Sequence, residues 1–224
     1  MDNLPKIKFC GMSQKDDIDA AIKLKVNWIG IIYVYSSHRY VDFTTSDLII
    51  DQYKDLIDFV GVFVNADDNL LKRAVKSGIN AIQLHGDETP ERCMEVKSNF
   101  NLPIIKAFPI SEQEDLDKIR NYEDCCEMFL FDAKSTNMDK TLGGNGRVFD
   151  WNIIKNNESW LRDFKPWILS GGLNQKNIIE ALKLTKAEAI DISSGIENDL
   201  GEKDINLMQE FIFKLGKLKN INEF

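Results

Sequence analysis

The chain has 224 residues, of which 43% are hydrophobic, and it carries a formal net charge of -8 at pH 7. This apolar content is ordinary for a globular protein and excludes a chain that is disordered as a whole. The acidic charge argues against nucleic acid or an anionic membrane as the general partner, because both surfaces repel an acidic protein. A small anion held locally by backbone N–H groups is compatible with it.

The four cysteines, Cys10, Cys93, Cys125 and Cys126, form no CxxC pair and no disulfide-dense pattern. With only two histidines in the chain, this spacing argues against a metal site, and we expect none. The first residues lack the apolar segment of a signal peptide, and no apolar run approaches the roughly 18 residues of a membrane-spanning helix. We therefore expect a reduced, soluble, cytoplasmic protein.

Eight short runs rich in β-branched and aromatic residues recur along the chain. Several are almost continuous in Val, Ile and Phe, which is typical of parallel strands covered on both faces. In chain order the runs are KIKFC (6–10), WIGIIYV (28–34), FVGVFV (59–64), AIQLH (81–85), PIIKAF (103–108), MFLFDA (128–133), WILSG (167–171) and AIDISS (189–194).

Helical patterns fill the intervals between these runs. Thr89 before Pro90 predicts a helix start, and Ser111 with Glu114 predicts a capping box.

Strands that alternate with helices pair in parallel, so we predict an α/β fold with one closed (β/α)8 barrel domain over residues 1–224. An open doubly wound sheet is the alternative, but it usually has fewer strands and a glycine-rich first turn. Neither GxGxxG nor GxxxxGK[ST] occurs in the chain.

The active site of such a barrel forms where the strands end, and two of these ends carry groups that exchange protons. Cys10 ends the first run and is either a small buried hydrophobe or a thiolate in a partly open, electropositive setting. Asp132 ends the sixth run, where burial would favour the protonated form of a general acid. Its alternative is to cap the next helix or to pair with Lys134. We expect Cys10 and Asp132 to face each other as base and acid.

The seventh and eighth runs end in glycines, in LSGGL (169–173) and ISSGI (192–196). Either pair alone would be a turn, but together, on neighbouring strands, they predict a site where backbone N–H groups hold a phosphate. The glycine-rich stretch STNMDKTLGGNG (135–146) predicts a lid loop. Arg39 either clamps a carboxylate or is a solvated surface residue. His85 either takes part in the site or is a core or loop histidine whose hydrogen bonds are satisfied within the fold.

Taken together, the strand ends resemble those of the phosphoribosylanthranilate isomerase family, almost over the whole chain. The resemblance rests on KIKFCGMS (6–13), WIGIIYVYSSHRYV (28–41), VGVFVN (60–65), IQLHGDE (82–88), IKAF (105–108), FDA (131–133) with GGNG and FDW after it, SGGLN (170–174) and DISSGIE (191–197). The chain departs from the family pattern at His38, where proline is usual, at Asn145 and at Ser170.

The resemblance implies an isomerase of tryptophan biosynthesis that works without a cofactor or a metal. Its Amadori rearrangement turns N-(5-phosphoribosyl)anthranilate into 1-(2-carboxyphenylamino)-1-deoxyribulose 5-phosphate. Asp132 would protonate the ring oxygen, Cys10 would remove the C2′ proton, and Arg39 would pair with the anthranilate carboxylate. The further substrate-binding residues implied are His85, Gly144, Gly146, Gly171, Gly172, Asp191, Ser194 and Gly195.

Two other functions stay open at this point. Another sugar-phosphate barrel, such as indole-glycerol-phosphate synthase, would share the phosphate glycines, although such enzymes rely on lysines or glutamates. A barrel that only binds a phosphorylated ligand would not need an acid and a base. In each case the partner is a small phosphorylated molecule. The sequence is compatible with an oligomer but does not indicate one.

Overall fold

The computed structural model describes residues 4–134 and 148–217, and within these ranges the predicted runs form a closed barrel of parallel strands. Each strand pairs with the next along the chain, and β1 pairs with β8 through Ile7 opposite Ile190, which closes the barrel. The strands are β1 Lys6–Cys10, β2 Trp28–Ile32, β3 Asp58–Phe63, β4 Ala81–Leu84, β5 Ile104–Ile110, β6 Met128–Ala133, β7 Trp167–Leu169 and β8 Ala189–Ile192. The predicted fold class is confirmed.

Helices surround the barrel, as right-handed crossovers require. They are α1 Lys15–Lys23, α2 Phe43–Tyr53, α3 Asp68–Ser77, α4 Pro90–Phe100, α5 Gln113–Lys118, α6 Asn152–Asn156, α7 Glu158–Phe164, α8 Ile178–Thr185 and α9 Ile205–Gly216. Short 3-10 segments follow α5 at Ile119–Tyr122 and β8 at Ser194–Ile196. In the described part of the chain, no helix has both the length and the apolar character needed to cross a membrane.

Local sequence signals set several of the helix starts. Thr89 caps α4 as predicted, because its side chain accepts a hydrogen bond from the N–H of Arg92. The capping box predicted from Ser111 and Glu114 is wrong. The Ser111 hydroxyl instead donates to the carboxylate of Asp115, at 2.9 Å, and α5 begins at Gln113.

Most of the apolar core lies between the strands and the helices, and a smaller cluster fills the barrel interior. The inner cluster occupies only part of the interior, since polar side chains stand at inward positions nearer the carboxyl ends of the strands. Its members are Val60, Ile105, Ala107, Leu130, Ile168 and Ala189. The barrel is therefore a packed core with a polar upper end, which is where enzymes of this architecture hold their substrates.

Candidate active site

The pleat of the strands decides which candidate side chains reach the barrel interior. On β1, Phe9 packs outwards against α9, so its neighbours Lys8 and Cys10 point inwards. On β6, Phe129 packs outwards against α7, and Asp132 stands on the opposite face of the strand. The alternation in these two strands therefore directs Cys10 and Asp132 into the same space.

A cavity of about 930 Å³, partly open to solvent, lies at the carboxyl ends of the strands. Most of the predicted site residues line it, namely Cys10, Arg39, His85, Asp132, Gly171, Gly172, Asp191 and Ser194. Gly195 lines a smaller adjoining cavity, together with Gly172 and Ser194. Gly144, Gly146 and the predicted lid stretch lie outside the described residues.

The candidate acid, Asp132, is buried and held by two contacts. Its Oδ1 accepts a hydrogen bond of 2.8 Å from the N–H of Ala133, and its Oδ2 lies 3.3 Å from Nε2 of His85. His85 is in turn held by Gln83, whose amide nitrogen lies 3.0 Å from Nδ1 of the ring. Because Gln83 is fully buried, this chain of contacts fixes the orientation of the imidazole beside the carboxyl group. The alternative in which Asp132 pairs with Lys134 finds no support, since the Lys134 ammonium group lies 3.8 Å from the carboxylate of Asp115.

The candidate base, Cys10, lies in a buried and charged setting. Only 6% of the residue is exposed, so the partly open setting considered for a thiolate is not found. Burial raises the pKa of the Cys10 thiol, while the positive charge of Lys8 acts in the opposite direction. Lys8 is fully buried, and its Nζ lies 3.0 Å from Oδ1 of Asp191. A thiolate at Cys10 would thus form next to a buried ammonium–carboxylate pair.

Arg39 is not a solvated surface residue. Its Nε donates a hydrogen bond to Oε1 of Glu197 and its Nη2 donates one to Oε2, both at 2.7 Å. Glu197 also pairs with Lys203, and all three side chains are largely buried. This edge of the guanidinium group therefore binds a carboxylate of the chain itself, in the bidentate geometry expected for a substrate carboxylate.

Close backbone approaches explain why glycines stand at the strand ends. Gly171 has a φ of +88°, and a Cβ there would lie 2.6 Å from the backbone nitrogen of Ala133. A Cβ on Gly195 would overlap the carbonyl oxygen of Leu173. The loops after β7 and β8 are therefore packed backbone to backbone beside the two adjoining cavities.

Comparison with known proteins identifies the family. The sequence profile described as PRAI, N-(5′-phosphoribosyl)anthranilate (PRA) isomerase, matches residues 7–214. The chain belongs to this family. Among its relatives, the N-(5′-phosphoribosyl)anthranilate isomerase of Zymomonas mobilis subsp. pomaceae is 38% identical over 209 residues, which covers 92% of this chain and 96% of that protein. The enzyme of Parvibaculum lavamentivorans is 37% identical over 210 residues, again 92% and 96% of the two chains.

Solved structures of the isomerase family resemble the chain over its whole barrel. The phosphoribosyl anthranilate isomerase of Thermotoga maritima matches with a TM-score of 0.83 and 28% identity, covering 96% of this chain and 100% of that one. A family structure in complex with reduced 1-(o-carboxyphenylamino)-1-deoxyribulose 5-phosphate matches with a TM-score of 0.81 and 27% identity over the same shares. The family predicted from the strand ends is thereby confirmed.

Sequence reasoning missed several residues that adjoin the site of this isomerase-family chain. Those with polar contacts there include Lys8, Gln83, Glu197 and Lys203. Lys8 could have been found, because it stands two residues before Cys10 in an alternating strand and is therefore inward-facing. The contacts of Glu197 and Lys203 depend on the loop after β8, where no local pattern reveals the partner.

Proposed function

We propose that the protein catalyses the Amadori rearrangement of N-(5′-phosphoribosyl)anthranilate to 1-(2-carboxyphenylamino)-1-deoxyribulose 5-phosphate. The observation that carries this proposal is the meeting of a thiol and a carboxyl group, Cys10 and Asp132, in one cavity at the mouth of an isomerase-family barrel. A protein that only binds a sugar phosphate has no use for such a pair.

Asp132 is the proposed general acid. It donates its proton to the furanose ring oxygen while the bond from that oxygen to C1′ breaks, and the anilinic nitrogen supplies the electron pair that forms the Schiff base. The carboxylate left behind is stabilised by the N–H of Ala133. With the Gln83 amide donating to Nδ1, a neutral His85 carries its proton on Nε2 and directs it towards the same carboxylate.

Cys10 is the proposed general base. Its thiolate takes the C2′ proton, and the electron pair of that C–H bond moves to neutralise the iminium group, which gives an enolamine. The enolamine tautomerises to the ketone when C1′ gains a proton and the C2′ hydroxyl group loses one. The ammonium group of Lys8 stabilises the thiolate electrostatically and partly offsets the cost of burying it.

The remaining predicted residues bind the substrate in this proposal. Gly171, Gly172, Ser194 and Gly195 offer backbone N–H groups to the phosphate, at the barrel position where phosphates commonly bind. Arg39 recognises the anthranilate carboxylate, which requires it to adjust its contacts with Glu197. Asp191 orients Lys8 and the substrate amine, and Gly144 and Gly146 belong to the loop expected to close over the phosphate.

We further infer that residues 1–224 act as one domain and that the reaction takes place in the cytoplasm. The four cysteines are free thiols, which fits a reducing compartment.

The test is a fluorescence-monitored turnover assay in which anthranilate is phosphoribosylated in situ. Cys10→Ala and Asp132→Asn should each lose turnover while product affinity stays within roughly tenfold, since each removes a proton-transfer group and little binding surface. Cys125→Ala and Asp51→Asn are the matched controls, because Cys125 lies outside the cavity and Asp51 is exposed. Rates of either catalytic variant equal to those of its control would refute the assignment. Complementation of a tryptophan auxotroph lacking this step tests the activity in cells.

A further inference from the structure

Three of the four cysteines meet in the layer between the helices and the strands. Cys93 lies on α4, and Cys125 and Cys126 lie just before β6. All three are buried, and none of them lines the cavity at the barrel mouth. Their Sγ atoms all lie within 4.8 Å of one another, and those of Cys125 and Cys126 are 3.7 Å apart. We refer to these residues as the three-cysteine cluster.

These separations suit a shared metal ion. Zinc–thiolate bonds of about 2.3 Å at tetrahedral angles place the ligand sulfurs about 3.8 Å from one another. The Cys125–Cys126 pair already has this spacing, and the other pairs need to close by no more than about 1 Å to reach it. A disulfide would instead require two sulfurs to approach to about 2.05 Å and would leave the third thiol unused.

We propose that the three-cysteine cluster binds one thiophilic metal ion of the Cu⁺, Zn²⁺ and Cd²⁺ class through three thiolates. Soft sulfur ligands select these ions over Mg²⁺ and Ca²⁺. As each sulfur binds, its thiol proton passes to solvent, and no electron is transferred. The spacing of the cysteines along the sequence predicts no metal site, and the fold is what brings them together.

The surroundings of the cluster hold its two halves together. Lys97 lies one turn after Cys93 on α4, and its Nζ donates to the carbonyl oxygen of Asp124 at 3.1 Å. The same ammonium group pairs with Glu127 at 2.7 Å, so it contacts both residues that flank Cys125 and Cys126. This link fixes α4 against the segment before β6, which pre-organises the three sulfurs.

The same surroundings place two ammonium groups near the cluster. Three thiolates and a divalent ion carry a net charge of −1, and Lys97, although paired with Glu127, also interacts electrostatically with Cys125 and Cys126. Lys165 contacts the segment from the other side, where its Nζ donates to the carbonyl oxygen of Cys126 at 2.9 Å. Both ammonium groups are thus held close to the cluster through backbone carbonyl oxygens, and the convergence of the three sulfurs is what favours a metal ion.

The experiment uses Cd²⁺ as the probe on the full-length, reduced protein. The thiolate-to-cadmium charge-transfer absorption should saturate at one equivalent in the wild type and equally in Cys10→Ala, which removes the thiol outside the cluster. Cys93→Ala, Cys125→Ala and Cys126→Ala should each weaken binding by at least about a hundredfold, because each removes one ligand. Cd²⁺ should also raise the melting temperature of the wild type, and Mg²⁺ should not.

Far-ultraviolet circular dichroism and isomerase turnover verify that each cluster variant is folded. Serine variants at the same positions, which keep the side-chain volume, replace any alanine variant that does not fold. The proposal is overturned if the wild type gives no charge-transfer band at one equivalent. It is also overturned if the band is lost in Cys10→Ala and kept in the three cluster variants, since the metal would then lie at the barrel mouth.

Discussion

Lys8 and Cys10 stand two residues apart on β1, and both side chains point into the barrel, where the Lys8 ammonium group lies 3.0 Å from the carboxylate of Asp191. This pair gives the thiol a buried cation and a buried anion as neighbours. Lys8 opposes the rise in the pKa of Cys10 that burial causes, whereas Asp191 adds to it. The two charges therefore have opposite effects on the proposed base.

The first prediction concerns the pH dependence of kcat/KM, which reports ionisations of the free enzyme. Because burial raises the pKa of Cys10, kcat/KM should increase with pH through and above neutrality, by about tenfold per unit below that pKa. Lys8→Met should move this rising limb of the pH profile to higher pH, and Asp191→Asn should move it to lower pH. Lys6→Met is the control, because Lys6 stacks on Trp28 at the other end of β1. A limb that stays in place in both variants would contradict the assignment of Cys10 as the base.

The second prediction concerns the space around the thiol. A Cβ on Gly30 of β2 would lie 2.7 Å from Sγ of Cys10 and 3.0 Å from Nζ of Lys8. Gly30→Ala should therefore displace the base and lower kcat by about a hundredfold, as small misplacements of catalytic groups do. Steady-state kinetics measure the effect. Gly216→Ala, where a Cβ meets nothing within 4 Å, should retain the wild-type kcat, and an unchanged kcat in Gly30→Ala would show that Cys10 has room to move.

The third prediction concerns the phosphate end of the site. A Cβ on Gly195 would overlap the carbonyl oxygen of Leu173, so Gly195→Ala must separate the loops that follow β7 and β8. KM should rise at least about tenfold, while inhibition by inorganic phosphate weakens by a similar factor, because in the proposed site both ligands bind the N–H groups of these loops. Equal phosphate inhibition of the variant and the wild type would place the phosphate elsewhere.

The fourth prediction concerns stability. Burial by itself would raise the pKa of Glu197. The contacts with Arg39 and Lys203 outweigh this effect and hold the pKa below its ordinary value. The ionised form is thus favoured in the folded state, and this stabilisation is present above the unfolded pKa and lost as pH falls through the folded pKa. Glu197→Gln should lower the free energy of unfolding by about 3 kcal/mol at pH 7, because it removes the carboxylate charge that the buried Arg39 and Lys203 side chains contact.

Urea denaturation at pH 7 and at pH 4 measures this effect. The difference between wild type and Glu197→Gln should shrink at the lower pH, because below its ordinary pKa Glu197 takes up a proton more readily in the unfolded chain than in the folded one. Asp47→Asn, which weakens a partly exposed pair with Arg73, should change stability much less at either pH. A difference that does not depend on pH would mean that packing, and not charge, makes Glu197 important.

The sequence predicted what is local or repeated. The alternation of apolar runs and helices predicted the barrel, and the residues at the strand ends predicted the family; the structure and the comparisons confirm both. The strand pleat also made it predictable that Cys10 and Asp132 would share a cavity. Their chemical roles, like those of the substrate-binding residues, remain predictions.

What the sequence did not predict depends on contacts between distant parts of the chain. Lys8 meets Asp191 across 183 residues, and Arg39 meets Glu197 across 158. Whether Cys10 is buried or partly open could not be decided from the KIKFC run for the same reason, because burial is a property of the assembled barrel. The convergence of Cys93 with Cys125 and Cys126 likewise arises only when α4 packs beside the segment that leads into β6.

The pleat of β1 makes the barrel sensitive to a single error of strand alignment. Since side chains alternate between the two faces, a shift of β1 by one residue against β2 and β8 would send Cys10 and Lys8 together into the helix layer. Ile7 and Phe9 would then occupy the mouth. Such a molecule could keep most of its secondary structure and still be wholly inactive. The activity of the barrel therefore depends on the correct alignment of this one short strand during folding.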